Sequence, residues 1–157
     1  MQIILFGLHI KISDASDKRI IGRDGDAVRD PAAGGFASFE GWVRNHHQGR
    51  KVASLEYEAY PALAEKEGNR ILSEIHSKHD IIAARCVHRT GHLQIGEIAI
   101  CIAVAAAHRE AAFSACSAII DAIKSTVPIW KKEHYTNGSA EWVKCDSCSG
   151  NAIHHQH

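Results

Sequence analysis

One segment constrains the fold of this chain more than any other: residues 107–133 combine a long amphipathic helix with an extended strand. At 100° per residue its apolar side chains form one arc and its polar side chains lie opposite. The arc contains Ala112, Phe113, Ala115, Cys116, Ile119, Ile120 and Ile123. This pattern predicts a helix that docks on a core. Val127-Pro128 ends the helix, because a residue before proline is pushed into extended geometry, and residues 129–135 predict a strand.

Basic side chains on this helix predict a groove that binds anions. Arg109 lies within the apolar arc and Lys124 at its edge, about 60° apart around the axis, so we expect both to reach one groove beside the core. Lys124, in the last turn, is favoured by the negative end of the helix dipole. His108 and Arg109 face the positive end, where an anion would compensate their charge. The alternative for Arg109 is a salt bridge with Glu97 or Glu110.

The strand that follows carries two adjacent lysines. On a two-residue period Lys131 shares a face with Ile129 and Glu133, whereas Lys132 points to the opposite side. At most one of these lysines is therefore expected to join the groove. A pocket of cations binds an anion, and desolvation with mutual repulsion lowers the pKa of a lysine until it can act as a general acid or base. The residues alone predict an anion-binding pocket and do not indicate its ligand or reaction.

Length and charge bound the domain organisation. The 157 residues, of which 45% are hydrophobic, suit one compact domain. We expect this domain to cover residues 1–145 and residues 146–157 to form a polar, flexible tail. Eighteen basic and eighteen acidic side chains cancel, so the overall charge indicates neither nucleic acid nor a membrane surface as partner. The apolar run at residues 1–12 is too short to cross a bilayer and lacks signal-peptide features, which predicts a cytoplasmic protein.

The five cysteines fall into two groups. Cys86, Cys101 and Cys116 each lie in an apolar run and are expected to be reduced, hydrophobic residues. Cys145 and Cys148 form a C-x-x-C motif near three histidines, His154, His155 and His157. Thiolate and imidazole are the usual ligands of zinc, so this tail is a candidate zinc site. A polar terminus without bound metal is the alternative.

Periodicity elsewhere predicts five further strands and a second helix. The strands are expected at residues 2–12, 36–44, 52–59, 81–89 and 97–106. Pro61 begins an amphipathic helix that runs to about His79. Residues 36–44 should pair with 52–59 as a hairpin, 81–89 with 97–106 as another, and Asn137-Gly138 should turn a third. Residues 15–35 predict a short helix or turn and a mobile connection. The sum is an α+β fold with a mostly antiparallel sheet, hairpins and two long helices.

Two further polar segments are candidates for the groove. Phe39 and Arg44 lie on the strand before a polar loop, and His88 and Arg89 end another strand. Arginine at a strand end is also typical of solvated surface, and turns need polar residues in any case. The sequence contains no Ser-His-Asp triad, paired-carboxylate site, P-loop or dinucleotide fingerprint. The candidate residues are nearly all cationic.

Several segments, in order, resemble the signature segments of the large, catalytic subunit of molybdopterin synthase. They are FEGWVRNHHQGRKVASLEYEAY, VHRTGHLQIGE, AHREAAFSAC, and IDAIKSTVPIWKKE followed by NGSAEWV, and they span Gly34 to Val143. The resemblance implies a hammerhead-like α+β fold and a sulfurtransferase that converts cyclic pyranopterin monophosphate into molybdopterin by installing two dithiolene sulfurs. It also implies a small ubiquitin-like partner subunit whose C-terminal Gly-Gly thiocarboxylate supplies the sulfur. The implied assembly is a heterotetramer built on a homodimer of large subunits.

The resemblance implies roles for individual residues. The catalytic residues would be Lys124 and Lys131, and the substrate-binding residues Phe39, Arg44, His108 and Arg109. No metal or cofactor is implied, and no cysteine is required as the sulfur source. The sequence departs from the family after Trp142, where Asp146 stands in place of an arginine that some members use across the dimer, with Lys144 nearby. Two other classes remain open: a non-catalytic module that binds a phosphorylated small molecule, and a metal-dependent hydrolase that uses the tail.

Overall fold

A computed structural model describes residues 8–14 and 24–143. The predicted tail, its C-x-x-C motif and residues 15–23 lie outside these ranges. The described elements, in chain order, are β1 (Leu8–Asp14), α1 (Asp24–Ala27), β2 (Gly35–Trp42), β3 (His46–His47), β4 (Arg50–Ala59), α2 (Pro61–Lys78), β5 (Ala83–Gln94), β6 (Ile98–Ala106), α3 (Arg109–Thr126), β7 (Ile129–Tyr135) and β8 (Ala140–Val143).

The strands form one mostly antiparallel sheet in the order β2-β6-β5-β4-β7-β8. In addition, β1 pairs with β5 in parallel and β3 pairs with β4. The first half of β5 pairs with β6 and its last residues pair with β4, so β5 joins the two halves of the sheet. The predicted β5–β6 and β7–β8 hairpins are confirmed, and with them the α+β class with two long helices.

The predicted hairpin between residues 36–44 and 52–59 is wrong. Strand β2 pairs with β6, whereas β4 pairs with β5 and β7. The reason lies in the intervening loop, where Gln48 and Gly49 have φ angles of 48° and 76°. Two consecutive positive φ angles make the tight turn that matches strand twist, and it joins β3 to β4. The hairpin therefore closes inside the polar loop and leaves β2 free to pair elsewhere.

The two long helices pack on one face of the sheet and enclose the main core. The buried side of α3 consists of Ala112, Ala115, Cys116, Ile119 and Ile123, as the predicted arc requires. The helix ends at Thr126, and Val127 before the proline is extended, as predicted. Phe113, which was also assigned to the arc, is instead 65% exposed. It lies at the edge of the arc, about 100° around the helix axis from the centre, where the helix surface no longer faces the core.

The described cysteines behave as small apolar residues. Cys86, Cys101 and Cys116 are buried free thiols, and burial raises the pKa of the Cys116 thiol. The Cys116 thiol therefore stays protonated at neutral pH, and the burial of all three side chains agrees with their predicted role in the core. In the same described ranges, no helix has the length and apolar character needed to cross a bilayer.

Candidate active site

A cavity of about 700 Å³ opens where the C-terminal end of α3 meets strands β2, β4 and β7. Apolar side chains form much of its wall, including Leu55, Ile100, Ile123 and Val127. Its polar and charged lining residues are Glu40, Arg44, His47, Tyr57, His88, Lys124, Lys131 and Glu133. A concave apolar wall with a few convergent polar groups is the usual form of a small-molecule site.

Four of the six predicted site residues line this cavity: Phe39, Arg44, Lys124 and Lys131. The Val127-Pro128 connection between α3 and β7 is what brings the two lysines together, because the helix ends and the strand begins within two residues. Lys124 is exposed at the last turn of the helix. Lys131 is more enclosed, with 16% of its side chain exposed. The predicted strand period is confirmed here, since Lys131 lines the cavity and Lys132 does not.

His108 and Arg109 lie at the opposite end of α3 and do not line the cavity. Because an α-helix rises about 1.5 Å per residue, Arg109 and Lys124 are about 22 Å apart along the axis. The expectation that both reach one groove of the same chain is wrong, since a helical wheel compares angles around the axis and ignores distance along it. Both His108 and Arg109 are exposed. Glu97, one of the expected partners of Arg109, pairs instead with Arg89 at 3.6 Å.

A buried carboxylate, Glu133, lies beneath Lys131 and is only 2% exposed. The Lys131 ammonium Nζ lies 3.5 Å from Glu133 Oε1. The Tyr135 hydroxyl donates to Glu133 Oε2 at 2.9 Å, and His47 Nδ1 lies 3.0 Å from the same carboxylate. An ionised carboxylate only accepts hydrogen bonds, so the His47 Nδ1 carries the proton in this contact. Three donors thus converge on one anion, which is the arrangement a buried charge requires.

The Tyr135 side chain extends this network beyond Glu133. Burial and the hydrogen bond to Glu133 raise the pKa of the Tyr135 hydroxyl, which therefore stays a donor at neutral pH. The Arg50 guanidinium lies 3.5 Å from the centre of the Tyr135 ring, a cation–π distance. Arg50 also pairs with Glu141 on β8 at 2.9 Å. The network therefore ties β4, β7 and β8 together beside the cavity.

His88 forms another part of the cavity wall and is neutral. Burial lowers the pKa of His88 to about 4. Its Nδ1–H donates to the Arg89 carbonyl at 2.8 Å, so Nε2 is left as a hydrogen-bond acceptor. The Tyr57 ring meets the imidazole edge-on, with the two ring centroids 5.0 Å apart. The site thus combines cations at one end with a neutral imidazole at another.

Comparison with known proteins places this chain in a family. The family model described as "MoaE protein" matches residues 17–126. The chain belongs to the MoaE family. The resemblance found in the sequence segments is thereby confirmed.

Curated relatives of this MoaE chain carry the name molybdopterin synthase catalytic subunit. The protein of Oryza sativa subsp. indica is 42% identical over 130 residues, which cover 82% of this chain and 67% of the relative. The Dictyostelium discoideum protein is 42% identical over 134 residues, covering 83% and 85% of the two chains. The Homo sapiens protein is 41% identical over 137 residues, covering 87% and 72%.

Solved structures share the fold. The crystal structure of molybdopterin synthase from Staphylococcus aureus has a TM-score of 0.75 and 35% identity, and the match covers 88% of this chain and 98% of that one. A complex of subunits 1 and 2 of molybdopterin-converting factor from Helicobacter pylori matches with a TM-score of 0.67 at 19% identity, over 87% and 90%. At that identity the second match shows the MoaE fold alone.

Two residues of this MoaE cavity, Tyr57 and Glu133, did not stand out in the sequence, whereas His88 was named there as a candidate. Glu133 had a usable signal, because the two-residue strand period already placed it on the same face as Lys131. The sequence placed His88 at the end of a strand, yet it is buried within β5, which runs to Gln94 rather than ending at Arg89. Tyr57 gave no local signal, since its neighbour His88 comes from another strand.

Proposed function

We propose that this chain is the catalytic subunit of a molybdopterin synthase, a sulfurtransferase that moves sulfur from a thiocarboxylated partner subunit onto cyclic pyranopterin monophosphate. The observation that carries the proposal is the convergence of Lys124 and Lys131 with Arg44 and Phe39 in one cavity. Its volume of about 700 Å³ lies within the range of small-molecule sites. Membership of the MoaE family supports the same conclusion.

Arg44 and Phe39 are proposed to bind the substrate. A cyclic phosphate is an anion with oxygens that accept from a guanidinium fork, so Arg44 is the proposed phosphate ligand within this chain. Phe39 is 37% exposed at the cavity, and an open aromatic face stacks well on a flat pterin ring. Together they would bind the substrate through its charged phosphate and through its planar pterin ring.

The two lysines are proposed to act at different bonds. Lys124, exposed at the mouth of the cavity, would stabilise negative charge on the thiocarboxylate carbonyl while sulfur leaves it. Lys131, enclosed and held by Glu133 at 3.5 Å, would serve as acid or base when the cyclic phosphate opens. The Glu133 contact fixes the position of the amine, which is the main requirement for proton transfer over hydrogen-bond distance.

His108 and Arg109 are proposed to reach the substrate from a second copy of the chain. They lie about 22 Å along α3 from Lys124, so they cannot contact the same small molecule within one chain. The N-terminus of α3 is exposed and offers free N–H groups beside the guanidinium, a combination that suits a phosphate. A homodimer that places this end of one α3 at the partner's cavity would complete the site. The proposed cross-dimer role of residues after Trp142 concerns Lys144 and Asp146, which lie outside the described ranges.

The sulfur donor is proposed to be a small ubiquitin-like subunit with a C-terminal Gly-Gly thiocarboxylate. Glycines carry no side chains, so such a tail can pass through a narrow entrance and place its terminal sulfur beside Lys124. Two large aromatic side chains at the cavity, Trp42 and Trp130, are 65% and 55% exposed. Exposed tryptophans are typical anchors of protein interfaces, and these two are the proposed contacts for the partner's tail.

The experiment compares the variants Lys124→Ala and Lys132→Ala. Lys132 does not line the cavity, so its replacement is a matched loss of one lysine outside the site. Single-turnover sulfur transfer should fall about a hundredfold or more in Lys124→Ala, since a transition-state contact is worth roughly 3 kcal/mol. Its free energy of unfolding should change by no more than about 0.5 kcal/mol, because Lys124 is exposed. Lys132→Ala should keep the rate. Lys124→Arg should remain slow if the amine must exchange a proton, because arginine stays protonated.

A non-catalytic phosphate-binding module is the alternative function. It would use Arg44 and Arg109 in the same way but would tolerate the loss of Lys124. A rate in Lys124→Ala within about threefold of the unmodified chain corresponds to under 1 kcal/mol, and would reject the catalytic role. Substrate affinity, measured by titration on the same variant, distinguishes the two readings.

A further inference from the structure

Three potential metal ligands meet on the face of the sheet opposite the cavity: Glu56 on β4, His92 on β5 and His134 on β7. Their ligand atoms all lie within 4.8 Å of one another. His134 Nε2 is 3.1 Å from Glu56 Oε2, and the His92 and His134 ring centroids are 5.1 Å apart. We propose that this cluster is a binding site for a divalent transition-metal ion with zinc-like preferences.

Strand register explains why the three side chains meet. Glu56 is directly opposite His92 across the β4–β5 pair, and His134 is opposite Ser54, one diagonal step from Glu56 across the β4–β7 pair. On the same strands, Tyr57 and Glu133 line the cavity, so alternation places Glu56 and His134 on the other face. The site is thus separated from the proposed sulfur-transfer chemistry by the sheet itself.

The position of His92 depends on an irregularity in β5. His88 contacts Tyr57 and lines the cavity, so strict alternation would place His92 on the cavity side as well. Instead Leu93 packs in the core with Leu55, and His92 faces away. The alternation changes between His88 and Leu93, and Gly91 within this interval has a φ of 94°. A positive φ is readily adopted only by glycine and is characteristic of a bulge that redirects a side chain.

The donor set suits zinc. Two imidazoles and one carboxylate form a three-ligand site that leaves a fourth, tetrahedral position open to water. Zinc binds nitrogen and carboxylate oxygen at about 2.0–2.2 Å, so the donor atoms must close to roughly 3.3–3.5 Å from one another. The His134–Glu56 pair is already at 3.1 Å, and His92 is exposed and able to turn inward. Because each ligand is on a separate paired strand, the backbone beneath the site is fixed.

A nearby cation would weaken metal binding, and Lys132 is the candidate because it pairs with Glu56 across the β4–β7 register. Its ammonium, however, lies 5.5 Å from the centre of the Trp142 ring, a position over an aromatic face that satisfies the charge without Glu56. No ion pair between Lys132 and Glu56 is present within the part of the chain that the structure describes. The carboxylate therefore stays available to the metal.

A bound ion would hold β4, β5 and β7 together, the strands that carry Tyr57, His88 and Glu133 on the cavity side. Its expected effect is on stability rather than on the transfer step, because no ligand faces the cavity. An ion that binds only the folded chain raises the midpoint of thermal unfolding, and the free energy it adds grows with the logarithm of its concentration relative to its Kd. This inference does not depend on the proposed function.

The test is a titration of the full chain with Zn²⁺, followed by bound-metal stoichiometry and by thermal unfolding. The double variant His92→Ala/His134→Ala should lose one zinc equivalent per chain and lose the zinc-dependent rise in Tm. A matched control, His76→Ala/His79→Ala around the end of α2, should keep both. Comparing equivalents lost, rather than zinc bound in total, removes any contribution of the cysteines and histidines of the tail.

Glu56→Gln provides a second variant that keeps an acceptor for His134 while removing the anionic ligand. Its zinc affinity at this site should fall by about tenfold or more, since even indirect changes around a metal commonly cost that much. Co²⁺ substitution should give a tetrahedral absorption spectrum in the unmodified chain that is lost in the double variant. Equal zinc stoichiometry, affinity and Tm shift in the unmodified chain and the double variant would overturn the proposal.

Discussion

Replacing Glu133 with glutamine removes one negative charge from the buried network without changing its shape. In the structure this carboxylate accepts from the Tyr135 hydroxyl at 2.9 Å and from His47 at 3.0 Å, and faces the Lys131 ammonium at 3.5 Å. Glutamine retains an acceptor oxygen for Tyr135. It leaves Lys131 without its anion in a position where only 16% of the lysine side chain is exposed.

The expected cost follows from these contacts. Hydrogen bonds to a charged group are worth about 1.5–3 kcal/mol and neutral ones about 0.5–1.5 kcal/mol, so two weakened bonds cost about 2 kcal/mol. Removing one partner of a buried ion pair costs about 3–5 kcal/mol when the remaining charge has no other partner. Because Lys131 can reach solvent through the cavity, we expect Glu133→Gln to lower the free energy of unfolding by about 3 kcal/mol, between the hydrogen-bond cost and the full cost of an unpaired buried charge.

Urea unfolding at neutral pH measures this cost, with Glu141→Gln as the matched control. Glu141 pairs with Arg50 at 2.9 Å, but both side chains are more than a third exposed, so the control should lose less than about 1 kcal/mol. Glu133→Gln should also slow sulfur transfer, because Lys131 is no longer held. If Glu133→Gln unfolded at the same urea concentration as the Glu141 control, the buried network would not have the role assigned to it.

Three further predictions concern packing, pH and substrate binding. A Cβ on Gly68 would lie 2.7 Å from Ile10 Cγ2, so Gly68→Ala should destabilise the fold by about 1–3 kcal/mol in thermal melts, despite the better helix propensity of alanine. The pKa of His88 is about 4 in the folded chain against an ordinary value of 6.5. As the pH drops, His88 therefore takes up a proton in the unfolded state before it does so in the folded state. The free energy of unfolding should fall by about 3 kcal/mol as the pH drops through the interval between these two pKa values, and the fall should be shallower in His88→Leu. Arg109→Ala should raise the KM for the cyclic phosphate about tenfold or more with little change in Tm; unchanged KM with a large drop in Tm would indicate a structural salt bridge instead.

Local patterns predicted the elements of the fold better than their pairing. Both long helices, the start of α2 at Pro61, the end of α3 before Val127-Pro128 and the Asn137-Gly138 turn follow from residues close together in sequence. The pairing of β2 with β6 depends on residues about 60 positions apart, which no local pattern encodes. The positive φ angles at Gln48 and Gly49 make a turn that joins β3 to β4, so the hairpin does not include β2. Hydrophobic periodicity contains no signal for this turn.

The candidate site was predictable to the extent that its residues are neighbours on one element. The two-residue period separated Lys131 from Lys132 correctly, and the end of the helix placed Lys124 at the same cavity as Lys131. Arg109 shows the limit of such reasoning, because similar angles on a wheel do not make two residues neighbours when about 22 Å of helix separates them. The Glu56, His92 and His134 cluster shows another limit. These residues come from three strands, and no motif spacing connects them.

Transfer of labelled sulfur tests the account most directly. The purified chain is mixed with a small subunit that carries a ³⁵S-thiocarboxylate on its C-terminal Gly-Gly, together with cyclic pyranopterin monophosphate, and the pterin product is isolated. The account predicts that label moves from the small subunit to the pterin, two sulfurs per product molecule, with the unmodified chain and not with Lys124→Ala. Binding of both reactants with all label retained on the small subunit would contradict it.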